Sequence, residues 1–186
     1  MRRELKILNA ASGLTMFAAG MFGPLYAIFV EEIGGGLITA GTAYGIYAII
    51  GSILIFFISR WEDHIKHKEK LIFFGYLLSC LGFLGYIFIK SVWHLYLVQI
   101  IFGIASAIRI PAFVSIYSSK IDKGKYASEW GILESINWFV IGVSAFIGGI
   151  LAKILGFRSL FMIMLFVSLI GLFISTYLNV KNKIKK

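Results

Sequence analysis

The chain has 186 residues, 59% of them hydrophobic and only 15% charged, with a formal net charge of +9. Soluble domains average about 45–50% apolar and about 25% charged residues. A soluble enzyme, a disordered tail and a nucleic-acid binder are therefore excluded, the last despite the positive charge. One cysteine rules out an intramolecular disulfide framework, a CxxC redox pair and a cysteine-based zinc site; no metal and no cofactor are expected.

A membrane-spanning helix needs about 20 mostly apolar residues. Six such runs follow one another along the chain: 7–30, 37–59, 71–89, 93–116, 130–152 and 157–178. None shows the two-residue alternation of a barrel strand, so the runs predict α-helices. The connections are too short to fold on their own, which leaves one six-helix transmembrane domain over residues 1–186. Arg2, Arg3 and Lys6 precede the first run as in a signal peptide, but the run is longer than a signal's apolar stretch and five others follow, so it is expected to stay.

Lys and Arg accumulate on cytoplasmic loops. With the N-terminus inside, the inner segments hold Arg2, Arg3 and Lys6; Arg60, Lys66, Lys68 and Lys70; Lys120, Lys123 and Lys125; and Lys181, Lys183, Lys185 and Lys186. The outer loops hold only Lys90, Lys153 and Arg158, and the first of them carries Glu31 and Glu32. Both termini are expected to be cytoplasmic, in the plasma membrane. The basic balance is a topology signal, with contact to anionic lipid as a secondary consequence.

The two prolines, Pro24 in the first run and Pro111 in the fourth, superpose under a shift of 87 residues. The same shift lays the third run over the sixth and the second close to the fifth. Each three-helix unit crosses an odd number of times, so the second enters inverted. Inverted repeats with breaks in matching helices mark secondary transporters, and the breaks point to the substrate path. Chance agreement of two prolines is the plainer alternative.

Arg109 lies inside the fourth run and Glu134 inside the fifth. A charge in the membrane is expensive and functional by default. A hairpin about Asp122 brings the two to similar depth, which predicts a charge pair that opens and closes with transport. A static structural pair, or an Arg reaching to the headgroups, is the alternative. Asn137 extends the face of Glu134: Trp130, Glu134, Asn137, Ile141, Ala145 and Gly148 recur at helical spacing. That stripe suits either a cavity wall or a close-packing face. The intrahelical glycines read as packing positions. Trp61, Trp93 and Trp130, near run ends, read as an interfacial belt.

The loop between the second and third runs reads Ser59, Arg60, Trp61, Glu62, Asp63, His64, Ile65, Lys66, His67, Lys68, Glu69, Lys70 and Leu71. It is similar to the G-x-L-A-D-R-x-G-R-K-x-x-L loop of the major facilitator superfamily, with Asp63, Lys68 and Leu71 matching, His64 and His67 in place of Arg, and Ser59 and Lys66 in place of the glycines. Gly156, Phe157, Arg158 and Phe161 resemble the family's G-W-R-x-x-F opening of helix six. The fourth-helix R-x-x-Q-G appears with Gln99 and Phe102 substituted and Gly103 kept. Of the antiporter pattern G-P-x-x-G-G only Gly148 and Gly149 remain, so antiport is not implied. The chain thus resembles the N-terminal six-helix half of such a transporter.

The resemblance implies secondary transport of a small solute by alternating access. It implies that Asp63, His64, His67 and Lys68 form a cytoplasmic gate against a second half. That half would come from a second copy, as a parallel homodimer holding substrate between the first and fourth helices of each, or from a separate chain. A non-transporting accessory or assembly subunit, or a truncated transporter, is the alternative. An enzyme is not expected: Ser106 has no deep histidine near it in the runs, HExxH is absent, and Glu62 with Asp63 is the only close inner acidic pair.

Overall fold

The structure is a computed structural model that describes residues 3–184, with side chains for residues 3–178. Of the basic tails, Arg2, Lys185 and Lys186 lie outside the described residues, and Lys181 and Lys183 outside the described side chains. The elements are α1 (Arg3–Phe22), a 3-10 turn (Gly23–Leu25), α2 (Tyr26–Glu32), α3 (Leu37–Glu62), α4 (Lys68–Ile87), α5 (Val92–Lys120) and α6 (Tyr126–Ile184). Five helical stretches are long and apolar enough to cross a membrane, counting Arg3–Glu32 as one and α6 as one.

The last stretch is not straight. Gly156 has φ 77° and ψ 168°, a region open essentially to glycine alone. Before it, Ile136 lies nearest Gly13, Ser144 and Ile141 nearest Gly20, and Gly148 against Met21. After it, Phe161 packs on Phe22 and Gly171 on Ala11, Leu14 and Thr15. The first arm (126–155) therefore runs parallel to α1 and the second arm (157–184) antiparallel to it: the chain reverses at Gly156. The expected runs 130–152 and 157–178 lie one on each arm.

Packing follows from this reversal. α1 rests against both arms of α6, while α5 rests against α3 and α4. α4 meets the second arm where Cys80 Sγ and Ser168 Oγ approach to 3.2 Å. Two buried apolar clusters sit at opposite ends of the bundle. One gathers Phe22, Phe29, Tyr86 and Phe161, with ring centroids as close as 4.9 Å between Phe29 and Phe161 in an edge-to-face arrangement. Such pairs contribute about 0.5–1.5 kcal/mol beyond their area. The other gathers Leu5, Leu8, Tyr76, Phe113 and Tyr117. The outside is apolar as well: Ile38, Phe57, Trp138, Phe139 and Phe146 are all exposed. A soluble protein avoids such a surface, but lipid does not penalise it.

The prolines behave differently from each other. Pro24 lies in the first turn of the 3-10 segment that separates α1 from α2. Pro111 lies inside α5 without interrupting it, which corrects the expected break there. Its φ is compatible with helix, and a proline's lost backbone donor is tolerated in membrane helices whose neighbours re-satisfy the freed groups.

The α3–α4 loop turns tightly without the family's glycines. His64 N bonds to Trp61 O at 3.1 Å and Ile65 N to Glu62 O at 3.0 Å. No non-glycine residue among those described has positive φ, so Ser59 and Lys66 serve where a glycine is not conformationally required.

Candidate functional site

Gln99, Phe102, Ser106 and Arg109 are spaced three, four and three residues apart on α5, which puts them on one face. That face looks into a cavity of about 480 Å³ between the two apolar clusters. α1 adds Ser12, Thr15, Met16 and Ala19, the helix break adds Gly23, and α2 adds Tyr26. Tyr44 and Tyr47 of α3 line one side, Ser79, Phe83 and Tyr86 of α4 another, and Met164 of the second arm of α6 a third, and the space is open rather than enclosed.

At one end of the cavity the Gln99 amide donates from Nε2 to the Tyr26 hydroxyl at 2.9 Å and to the Tyr86 hydroxyl at 3.1 Å. Gln99 is 5% and Tyr86 6% exposed, so these bonds satisfy groups that water does not reach. On the α3 side the Tyr47 and Ser106 hydroxyls approach to 3.4 Å. At the other end lies Arg109, ten residues along α5 from Gln99 and so about 15 Å away along the axis. Its guanidinium carbon stands 5.3 Å from the centroid of the Tyr76 ring, a cation–π contact. Its Nε is buried without a hydrogen-bond partner. Gly75 makes room for it, since a methyl group there would come within 2.5 Å of Arg109 Cβ.

Arg109 and Glu134 do not form the expected pair. Glu134 is exposed on the first arm of α6 and lines no part of this cavity. The hairpin argument fails because α5 does not pack along that arm: α5 lies on α3 and α4, and the arm lies on α1. Asn137 is buried, 8% exposed, with its Oδ1 lacking a hydrogen-bond partner. The stripe it belongs to is a packing face, since Ile141 and Gly148 meet Gly20 and Met21. Trp61 and Trp93 are exposed, whereas Trp130 packs against Tyr117 in a tilted arrangement with ring centroids 4.8 Å apart.

The loop residues sit at the opposite end of α4 from Tyr86. Lys68 Nζ donates to Ser115 Oγ at 2.8 Å and lies 3.9 Å from Asp63 Oδ1, tying the loop to α5. Asp63 caps the end of α3. His64 Nδ1 pairs with the Arg60 carbonyl at 3.1 Å, and His67 precedes the first turn of α4. Sequence reasoning missed the tyrosines and treated Gln99 only as a departure from the family pattern; the spacing of Gln99, Ser106 and Arg109 was the available signal. Glu62, 2% exposed with both carboxylate oxygens unpartnered by hydrogen bonds, was read only as half of an acidic pair. Among the described residues, no group of three or more His, Cys, Asp or Glu comes together as a metal site.

The family model described as Major Facilitator Superfamily matches residues 8–185. An uncharacterised MFS-type transporter of Methanocaldococcus jannaschii is 27% identical over 161 residues, covering 87% of this chain and 42% of the relative. The quinolone resistance protein NorB of Staphylococcus aureus is 30% identical over 139 residues, 73% of this chain and 29% of the relative. The fold resembles the crystal structure of the POT family transporter PepTSo, with a TM-score of 0.73 at 18% identity, covering 97% of this chain and 38% of that one. The chain thus spans well under half the length of these relatives.

Proposed function

The chain belongs to the Major Facilitator Superfamily as a multi-pass membrane protein, and we propose that it supplies one wall of a solute passage in a secondary transporter working by alternating access. The observation that carries this reading is the cavity: an open, largely apolar space of about 480 Å³ with a few polar groups, Gln99, Ser106 and Arg109 among them, in a bundle whose exterior is apolar. Pockets of this size suit small ligands, and broken helices beside such sites are characteristic of transporters. Gln99, Tyr26 and Arg109 are the solute-facing groups, and the Pro24 turn forms part of the path.

The chain crosses the membrane six times in this reading, as two inverted triplets. Reversal at Gly156 supports the sixth crossing. Exchanging α1 with α5, α3 with the first arm of α6, and α4 with the second arm leaves the main packing pairs unchanged, which supports the symmetry. Cys80 and Ser168, the meeting point of α4 and the second arm, occupy nearly equivalent positions under that exchange. Both termini then share one side with the basic loops around Lys66 and Lys123, the cytoplasmic side of the plasma membrane. The Lys68 tie from the α3–α4 loop to Ser115 serves as the gate element there. A second copy, or a second six-helix half, closes the passage.

The test is uptake by proteoliposomes that contain only this chain, with a panel of small solutes and with or without a pH gradient. Saturable uptake supports the reading. Its absence, with uptake restored by a co-expressed second half, makes this chain a subunit. Crosslinking in native membranes should trap a dimer; a strictly monomeric, transport-active protein would refute the pairing.

A further inference from the structure

The charge inventory of the cavity is lopsided. Its lining holds one formally charged side chain, Arg109, and no Asp, Glu, His or Lys. The rest is aromatic, hydroxyl, amide or aliphatic. Arg109 has no carboxylate within ion-pair distance among the described residues, its Nε is buried without a hydrogen-bond partner, and its one neighbour of note is the face of Tyr76. An uncompensated guanidinium inside a membrane bundle is expensive, and removing one partner from a buried pair leaves that penalty standing. A bound anion offsets it.

Resting on the transport reading above, we infer that the cavity takes organic anions with a flat apolar body, their anionic group held by Arg109. The planar guanidinium donates two parallel hydrogen bonds to a carboxylate, a geometry that a point charge does not reproduce. The body of such a solute lies among Phe83, Phe102, Tyr44 and Tyr47, and a polar substituent at its far end reaches the hydroxyls that Gln99 organises. Cations are rejected: the tyrosine faces attract them, but no acid answers their charge and Arg109 repels it, which is selection by an unfavourable contact. A neutral polar solute fits the walls but leaves Arg109 uncompensated.

The experiment is equilibrium dialysis of the chain in nanodiscs of zwitterionic lipid, with empty nanodiscs as blank. Three radiolabelled probes of one shape are used: 2-naphthoate, 2-naphthamide and 2-naphthylmethylamine. The anion should bind about tenfold or more tighter than the amide, a difference expected of a charge-assisted pair, and the amine weakest. Arg109→Gln should bring the anion down to the level of the amide, and Arg109→Lys should keep only a minor part of the preference, since a point charge does not reproduce the paired hydrogen bonds. Ala19→Trp, which adds an indole at an exposed position of the cavity lining, should abolish binding of all probes. The wild-type ranking decides even if a variant fails to fold. Equal binding of anion and amide, both lost in Ala19→Trp, overturns the anion preference and leaves the passage standing. Binding of no probe above blank, or binding untouched by Ala19→Trp in a folded protein, overturns both.

Discussion

Gln99 spends both amide hydrogens on two tyrosine hydroxyls, one from the far side of the helix break and one from α4. Replacing it with Leu leaves the Tyr86 hydroxyl buried without its donor, a loss of about 1–3 kcal/mol. We expect Gln99→Leu to lower the melting temperature in detergent by several degrees, measured by thermal scanning against wild type. Arg109 was legible in the sequence because a charge inside an apolar run is conspicuous. Its neighbour was not, because depth along a hairpin says nothing about which face a helix presents or which helix stands opposite. Tyr76 and Gly75, which hold the guanidinium in place, carry no charge and looked like ordinary packing residues.

At the level of elements, glycine decides where helices reverse and where they touch. Gly156 takes a conformation that other residues reach only at about 1–3 kcal/mol; Gly156→Ala should destabilise by that amount, read as a lower melting temperature or faster trypsin cleavage. Gly148 and Gly142 form a paired test on one arm of α6. A methyl at Gly148 would overlap the Met21 carbonyl, whereas nothing lies within 4 Å of one at Gly142. Gly148→Ala should destabilise by about 1–3 kcal/mol through overpacking; Gly142→Ala should be neutral or slightly stabilising, since alanine is the better helix former. Melting curves of the two variants, run side by side, check the contrast. The apolar runs were plain in the sequence from length alone. The Gly156 reversal was visible only as a short gap between two runs, because one residue in an unusual backbone conformation does the work of a loop. The stripe through Asn137 had the spacing of a cavity wall, and only the neighbour across it, α1, shows it to be a seam.

For the whole molecule, the proposed six-crossing arrangement predicts the sidedness of its loops. The single native cysteine, Cys80, is buried, so an impermeant maleimide should leave the wild type unlabelled in intact cells. Lys90→Cys should label from outside; Lys66→Cys and Lys123→Cys should label only after permeabilisation. Labelling of all three from one side would contradict the arrangement. What the sequence made readable at this level was a bundle of long apolar helices, because hydropathy needs no knowledge of which helix packs on which. One piece of the architecture reaches further. α3 is seated chiefly on α5, where Gly51 faces Gly103 and Gly103 meets the Tyr47 carbonyl. Backbone comes close to backbone there, like a drawer on a runner, with the Ile50 side chain beside Gly103 and the Tyr47 hydroxyl near Ser106 as its few side-chain contacts. Because Tyr44 and Tyr47 travel with that drawer, any glide or tilt of α3 widens or narrows the chamber directly.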